Sequence, residues 1–105
     1  MKMINLIGKD FGLLILFLGR LMGRHKLSIP NFYNFIERYI DPHQREITII
    51  LASIAESAHG ETPGSVMKQI IKKIIDRFIS ERSTTQFITM GINTIREVKL
   101  LLFGI

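Results

Sequence analysis

Large apolar side chains recur at three- and four-residue spacing through most of this sequence, and this spacing restricts the folds open to the chain. Residues spaced in this way lie on one face of an α-helix of about 3.6 residues per turn. No segment alternates between apolar and polar residues with a period of two over a useful length, as a half-buried strand does. The sequence therefore predicts an all-α fold. The apolar rows are Phe32, Phe35, Ile36, Tyr39 and Ile40; Ile47, Ile50, Leu51, Ile54, Ala55 and Ala58; Val66, Met67, Ile70, Ile71, Ile74, Ile75, Phe78 and Ile79; and Phe87, Ile88, Ile92, Ile95 and Val98.

The polar segments between these rows are predicted to start helices. In the segment RYIDPHQREIT, Asp41 is suited to cap the free amides of a first helical turn, Pro42 to occupy that turn, and Gln44 to complete the cap. His43 is then expected on an exposed first turn, without partners for a metal-binding or catalytic role. Thr62 and Pro63 repeat the order of cap and proline and predict a second helix start, and Ser83 or Thr84 is predicted to start the last helix.

The four helices after Pro30 pair into a repeat, with corresponding positions about 40 residues apart. This spacing is typical of HEAT and armadillo helical pairs, which stack into a solenoid. The sequence predicts a single domain over residues 1–105, a HEAT/armadillo-like α-solenoid segment of about five helices, with one leading helix and two antiparallel pairs. Because FGLLILF and KLLLFGI are apolar where stacked arrays normally have polar caps, we interpret the segment as an excerpt of a longer solenoid. The matched positions are Arg38, Tyr39 and Ile40 with Arg77, Phe78 and Ile79, and Ile47, Leu51, Ile54 and Glu56 with Ile88, Ile92, Ile95 and Glu97.

Composition narrows the classes of function. With 47% hydrophobic and 22% charged residues, the chain falls outside the composition of disordered proteins. The absence of cysteine excludes disulfides and thiolate zinc sites. A net charge of +5 favours an acidic partner, which can be nucleic acid, an acidic protein or an anionic membrane.

The segment FGLLILFLGRLM, Phe11 to Met22, is the one candidate for membrane contact. Its apolar run stops at Arg20, well short of the roughly 20 residues that span a bilayer. Asp10 and the lack of a small-residue cleavage site argue against a signal peptide. A membrane-surface anchor formed by Phe11 to Phe17 beside Arg20 and Arg24 is an alternative.

Several strings resemble a known family. The segments GRHKLSIPNFYNFIERYIDPHQREITIILASIAESAH, residues 23–59, and DRFISERSTTQFITMGINTIREV, residues 76–98, are similar to consecutive pieces of the SDA (severe depolymerization of actin) family of eukaryotic ribosome-assembly proteins. The strings NFY, PHQRE and GINTIRE are the most specific, and they occur in the order seen in that family. Members of the family are several times longer than this chain.

The resemblance implies a non-enzymatic helical-repeat scaffold of the nucleus and nucleolus, required for maturation of the large (60S) ribosomal subunit precursor and its export to the cytoplasm. It implies partners on the pre-60S particle, namely rRNA and assembly factors, and no cofactor, small-molecule substrate or membrane partner. The alternative is a generic helical-repeat adaptor that binds an acidic protein. Neither a catalytic arrangement nor metal-ligand spacing is recognisable in the sequence.

Two groups of basic residues are candidate contacts to RNA or to an acidic partner. One group lies opposite the apolar row of the third long helix, and the other lies near the end of the first helix. Bound to RNA, such residues neutralise phosphates and give salt-sensitive binding without base specificity. The competing interpretation is that they are solvated helix faces. The residues are Lys68, Lys72, Lys73 and Arg77 in the first group, and Arg20, Arg24 and Lys26, next to His25, in the second.

The sequence also predicts roles for individual residues. Leu51 is expected at the centre of a buried helix face. Gly91 is expected to permit close helix packing, because glycine inside a helix otherwise costs about 1 kcal/mol relative to alanine. Asn93 is expected to make a structural hydrogen bond beside a buried Ile92. Tyr33 is expected to point away from the apolar row of its helix.

Overall fold

A computed structural model describes the backbone of residues 2–103 and the side chains of residues 11–102. The described residues form five α-helices and one 3-10 turn, and they contain no strand, so the predicted all-α class is confirmed. The helices are α1 (Lys2–His25), α2 (Pro30–Ile36), α3 (Ile47–Ser57), α4 (Gly64–Phe78) and α5 (Thr85–Phe103), and the 3-10 turn is Glu37–Tyr39.

The helices form two layers. In one layer α1 packs on α3 and α3 packs on α5, while α2 and α4 contact each other in the second layer and α4 also packs on α5. The resulting slab measures 43 × 37 × 18 Å. This arrangement is a leading helix followed by two helical pairs, as the repeat in the sequence predicts.

Small residues bring α1 unusually close to α3. A Cβ atom added at Gly19 would lie 2.5 Å from the backbone oxygen of Ser53, and one added at Gly23 would collide with the backbone oxygen of Glu56. The Ser53 hydroxyl donates a hydrogen bond of 2.7 Å to the carbonyl oxygen of Ile15 in this buried interface. The glycines therefore set the distance between the two helices, a role that the sequence analysis missed.

The core lies between the two layers. Leu51 is 2% exposed, which confirms its predicted position at the centre of a buried face. Removal of such side chains from water is the main stabilising contribution, at about 1.5–3 kcal/mol for each fully buried one. The largest fully buried side chains are Met22, Ile36, Ile40, Ile50, Ile54, Met67, Ile70, Ile74, Phe78 and Val98.

The predicted helix from Phe32 to Ile40 is shorter than expected. The α-helix ends at Ile36 and tightens into the 3-10 turn, which leaves Phe35 38% exposed. The prediction for Tyr33 is wrong, because its ring is only 2% exposed and its hydroxyl lies 2.8 Å from Ser57 Oγ. This hydrogen bond satisfies the polar end of the side chain and allows the ring to replace Phe35 in the core. Burial raises the pKa of Tyr33, and hydrogen bonding with Ser57 and Thr62 acts in the opposite direction.

The prediction that Asp41 starts a helix is also wrong. Its carboxylate accepts a 2.8 Å hydrogen bond from the His43 N–H, and its carbonyl oxygen accepts one of 2.9 Å from the Gln44 N–H, so both groups serve a local turn. Helix α3 begins at Ile47, after Glu46 in the left-handed conformation at φ 60°. The Glu46 carboxylate accepts a 3.2 Å hydrogen bond from the Gly12 N–H and thereby ties the corner to α1.

The two later helix starts have different outcomes. Helix α4 begins directly after Pro63, as predicted, but the cap predicted at Thr62 is wrong, because its hydroxyl accepts a hydrogen bond of 3.0 Å from the His59 N–H and α4 has no side-chain cap. His59 is itself buried, and its Nε2 lies 2.7 Å from the carbonyl oxygen of Leu27. The prediction of a cap at Thr84 is confirmed, since its hydroxyl accepts a 3.2 Å hydrogen bond from the Phe87 N–H.

Of two predictions for α5, one is confirmed and one is wrong. A Cβ atom at Gly91 would lie 2.9 Å from Phe78 Cβ, which confirms close packing of α5 on α4. Ile92, the counterpart of Leu51 in the repeat, is 42% exposed rather than buried. Leu51 lies on a helix with neighbours on both sides, whereas among the described residues no helix covers the far side of α5.

Candidate interaction surfaces

The basic residues of α4 divide into two rows. Lys68 and Lys72 lie one turn apart and are exposed. Lys73 is half-buried, and Arg77 lies 3.7 Å from the Asp41 carboxylate, so these two side chains lie on the side of α4 that faces the preceding pair. Only Lys68 and Lys72 therefore form the predicted outward row.

The basic residues at the end of α1 meet acidic ones. Arg20 Nε donates a 2.9 Å hydrogen bond to the Glu56 carboxylate, and the two side chains are 61% and 40% exposed. An ion pair this exposed contributes about 0–1 kcal/mol. Arg20 and Arg24 line one cavity of about 330 Å³ together with Glu56, Glu97 and Leu101.

Lys26 is exposed and lies just beyond α1 at φ 53°. It occupies the left-handed position that follows many helices, and the Leu27 N–H donates a 2.8 Å hydrogen bond to the Met22 carbonyl oxygen across it. Glycine is the usual residue at this position, because a side chain there is strained.

The two predicted groups lie on opposite sides of the slab. Lys68 and Lys72 face away from the buried row of α4, in the layer of α2 and α4. In the other layer, Ile54 and Ser57 of α3 face α2, whereas Glu56 lies on the opposite side of the helix with Arg20. A partner that contacts both groups must therefore wrap around the domain.

A second cavity opens between α3 and α5, also on the side away from α2 and α4. Its volume is about 330 Å³, its floor is apolar and its rim is polar. Asn93 lies on the rim, is exposed, and its carboxamide makes no hydrogen bond within residues 11–102, so the prediction of a structural hydrogen bond is wrong. The lining residues are Thr48, Leu51, Ala52, Ala55, Met90, Asn93, Thr94 and Glu97.

A third cavity, of about 350 Å³, lies at the corner between the helical pairs. His43 lies there, exposed as predicted, with its ring 5.9 Å from that of Phe87 in an edge-on arrangement. Within the described part of the chain, no three histidine, aspartate or glutamate side chains gather in an arrangement that could hold a metal ion. The described helices also include none with the length and apolarity needed to cross a membrane.

Apolar side chains are exposed at both ends of the stack. On α1 these side chains are 46–59% exposed, and on the last pair they are 39–46% exposed. In stacked repeats such faces contact the adjacent repeats. The residues are Leu13, Leu14, Phe17 and Leu18 on α1, and Ile75, Ile92, Leu100 and Leu101 on the last pair.

The stacking of successive helical pairs, with the same layer repeated from α1 to α3 to α5, defines the class of the protein as an α-solenoid of the HEAT type. Residues 11–101 match the family described as "SDA1, HEAT repeat". This chain belongs to that family, which confirms the resemblance found in the sequence.

Three relatives illustrate the similarity. The chain is 40% identical over 81 residues to "Protein SDA1 homolog" of Xenopus laevis, a match that covers 77% of this chain and 12% of that protein. It is 38% identical to "Protein sda1" of Schizosaccharomyces pombe and 37% identical to "Protein SDA1" of Chaetomium thermophilum, each over 77% of this chain and 11% of the relative. The chain thus spans about one-ninth to one-eighth of the length of these relatives.

Proposed function

We propose that the chain acts as a non-enzymatic scaffold on precursors of the large (60S) ribosomal subunit, in the nucleus and nucleolus, and that it supports their maturation and export to the cytoplasm. The observation that carries this proposal is membership of the SDA1 HEAT-repeat family over residues 11–101. A stack of helices with broad outer faces suits a protein that positions partners.

The exposed row of Lys68 and Lys72 is the part of α4 best placed to contact rRNA. Neither side chain forms an ion pair within the described residues, in contrast to Arg77. Two lysines that neutralise two phosphates make binding salt-dependent, and a fourfold rise in salt then weakens it roughly tenfold. Lys26 would contribute in the same way from the other side of the slab, whereas Arg20 and Arg24 share a cavity with Glu56 and Glu97.

The proposal is tested by sedimentation of nuclear extract that contains the tagged chain through sucrose gradients at low and raised salt. Each fraction is probed for the tag and for precursor rRNA of the large subunit. We expect the tag to migrate with the precursor, and to shift toward the top of the gradient as salt is raised.

Matched variants separate the effect of the lysine row on co-migration from the effect of net charge. Lys68→Glu with Lys72→Glu should reduce the fraction of tag in the precursor peak. Arg45→Glu with Arg82→Glu, two exposed positions outside the basic groups, makes the same change in net charge and should leave that fraction unchanged. If the unmodified chain stays at the top of the gradient while a full-length relative enters the precursor peak, the proposal fails for this chain.

A further inference from the structure

The cleft between α3 and α5 and the charged cavity beside it form one continuous surface, because Glu97 lines both. We propose that this surface docks an extended peptide segment of a partner protein, in which one large apolar residue is followed two positions later by an acidic residue. The inference goes beyond the proposed ribosomal role and concerns the isolated chain.

The apolar part of the site has room for one large side chain. Leu51, Ala52, Ala55 and Met90 supply the apolar lining, and the two alanines are small enough to leave the space open. A volume of about 330 Å³ is at the lower end of the range for sites that enclose small ligands, roughly 300–1,000 Å³. The cleft is open to solvent on one side, so a leucine or phenylalanine side chain inserted here would lose part of its contact with water.

The charged part of the site has donors for a carboxylate. Arg24 forms no ion pair within residues 11–102, and Arg20 uses its Nε for Glu56 while its terminal nitrogens remain outside that hydrogen bond. A guanidinium presents its donors in a planar fork that matches a carboxylate. An acidic side chain of the peptide would therefore be held by Arg24, with Arg20 beside it.

The distance between the two parts sets the spacing in the peptide. Contacts of Gly12, Gly19 and Gly23 with successive parts of residues 46–57 show that α1 and α3 run parallel. From the cleft to the charged cavity the lining advances along the sequence on both α3 and α5, so these two helices are also parallel. The lining of the cleft as a whole is centred about five residues before the lining of the charged cavity on both α3 and α5, which is about 7–8 Å at 1.5 Å per helical residue. An extended peptide advances about 3.3 Å per residue, so two residues cover this distance.

The polar rim favours a peptide over RNA. The Asn93 carboxamide, exposed and without a hydrogen bond in the described part of the chain, can both donate to and accept from a peptide backbone. Glu97, between the two parts, can accept from backbone N–H groups. Glu56 and Glu97 offset much of the charge of the two arginines, so the cavity can hold one carboxylate at Arg24 but has no cations for the further phosphates of a polyanion.

The test uses the purified chain and fluorescence anisotropy with a labelled peptide, Ser-Gly-Ser-Leu-Ser-Glu-Ser-Gly-Ser. Three control peptides replace leucine by serine, replace glutamate by glutamine, or separate the two by three serines. We expect saturable binding below about 1 mM for the first peptide and affinities at least about tenfold weaker for each control.

Variants of the protein test the same two contacts, one in the apolar cleft and one in the charged cavity. Ala52→Trp fills the cleft from an exposed position, and Arg24→Gln removes the carboxylate donor, so each should weaken binding at least about tenfold while helical content is retained. Lys99→Gln, an exposed charge on α5 outside both cavities, should bind as the unmodified chain does.

Two results would overturn the inference. The first is no binding of the leucine–glutamate peptide, or equal binding of all four peptides. The second is tight binding of a labelled uridine oligonucleotide that Arg24→Gln weakens and Ala52→Trp leaves unchanged, which would assign the surface to RNA. The peptide assay contains no ribosomal particle. A negative result in it therefore would not contradict the proposed function, which the sedimentation experiment tests separately.

Discussion

Substitution of Gly19 by alanine tests whether the close approach of α1 and α3 holds the domain together. In the present packing, the added Cβ atom would lie 2.5 Å from the Ser53 backbone oxygen and 2.7 Å from its hydroxyl. Carbon–oxygen contacts are ordinarily about 3.3–3.6 Å, so the helices must separate by about 1 Å. Neither neighbour is the far end of a flexible side chain, because one is backbone and the other is a short hydroxyl that is already hydrogen-bonded to Ile15.

The expected loss combines opposing effects. Overpacking of a tight interface costs about 1–3 kcal/mol. Disruption of the buried hydrogen bond from Ser53 to Ile15 costs about 0.5–1.5 kcal/mol. In the opposite direction, alanine stabilises a helix interior by about 1 kcal/mol relative to glycine. We therefore expect Gly19→Ala to lower the free energy of unfolding by about 1–3 kcal/mol, a substantial part of the 5–15 kcal/mol typical of a domain.

Urea unfolding followed by far-UV circular dichroism measures this difference. Gly64→Ala is the matched control, because a Cβ atom at Gly64, the first residue of α4, would have no other atom within 4 Å. That control should be neutral or more stable by about 0.4–1 kcal/mol. If Gly19→Ala unfolds at the same urea concentration as Gly64→Ala with an unchanged m-value, the close-packing argument is wrong.

Four further predictions follow from single positions. Leu51→Ala should lower the free energy of unfolding by about 2–5 kcal/mol, and a loss below about 1 kcal/mol in urea unfolding would place Leu51 outside the core. Gly91→Leu should lower the thermal midpoint, since even its Cβ atom would lie 2.9 Å from Phe78 Cβ, and an unchanged midpoint would contradict the packing of α4 on α5. Lys26→Gly should raise stability by about 1 kcal/mol because φ is 53°, whereas a fall would mean that the Lys26 side chain stabilises the helix end. Because burial raises the pKa of Tyr33 above 10.0, its contribution to stability is present below pH 10 and is lost as pH rises through the folded pKa. Tyr33→Phe should lower the free energy of unfolding by about 1 kcal/mol at neutral pH, and that free energy should fall less steeply with alkaline pH than in the unmodified chain. An equally steep fall would mean that other groups cause the pH dependence.

The sequence predicts best what depends on a single helix. The buried row of α4, which includes Met67, Ile70, Ile74 and Phe78, follows directly from spacing, since a helix with these residues has one apolar face whatever its neighbours. The Thr84 cap is equally local.

Features that depend on two distant segments are predicted poorly. Asp41 can cap a helix or close a turn, and the outcome depends on the corner that Glu46 fixes through its hydrogen bond to Gly12. Leu51 and Ile92 occupy equivalent positions in the repeat, but their burial depends on which helices lie beside them.

Taken singly, the glycines of α1 cannot be distinguished from glycines in loops. The spacing of Gly12, Gly19 and Gly23 along one helix was the available signal, since these positions lie on one face. The cleft between α3 and α5 could not be predicted either, because its lining comes from two helices about 40 residues apart in the chain.

The parallel course of α1 and α3 has an electrostatic consequence. Each helix carries a partial negative charge at its carboxyl end, and parallel neighbours place these charges side by side, unlike the antiparallel helices of a bundle. Arg24 and His25 lie in the last turn of α1, and Arg20 lies within two turns of that end. A cation at such a position contributes about 0.3–1 kcal/mol by offsetting the helix dipole. Part of the positive charge at this end of the domain therefore balances the chain's own backbone, and only the remainder is available to attract a partner.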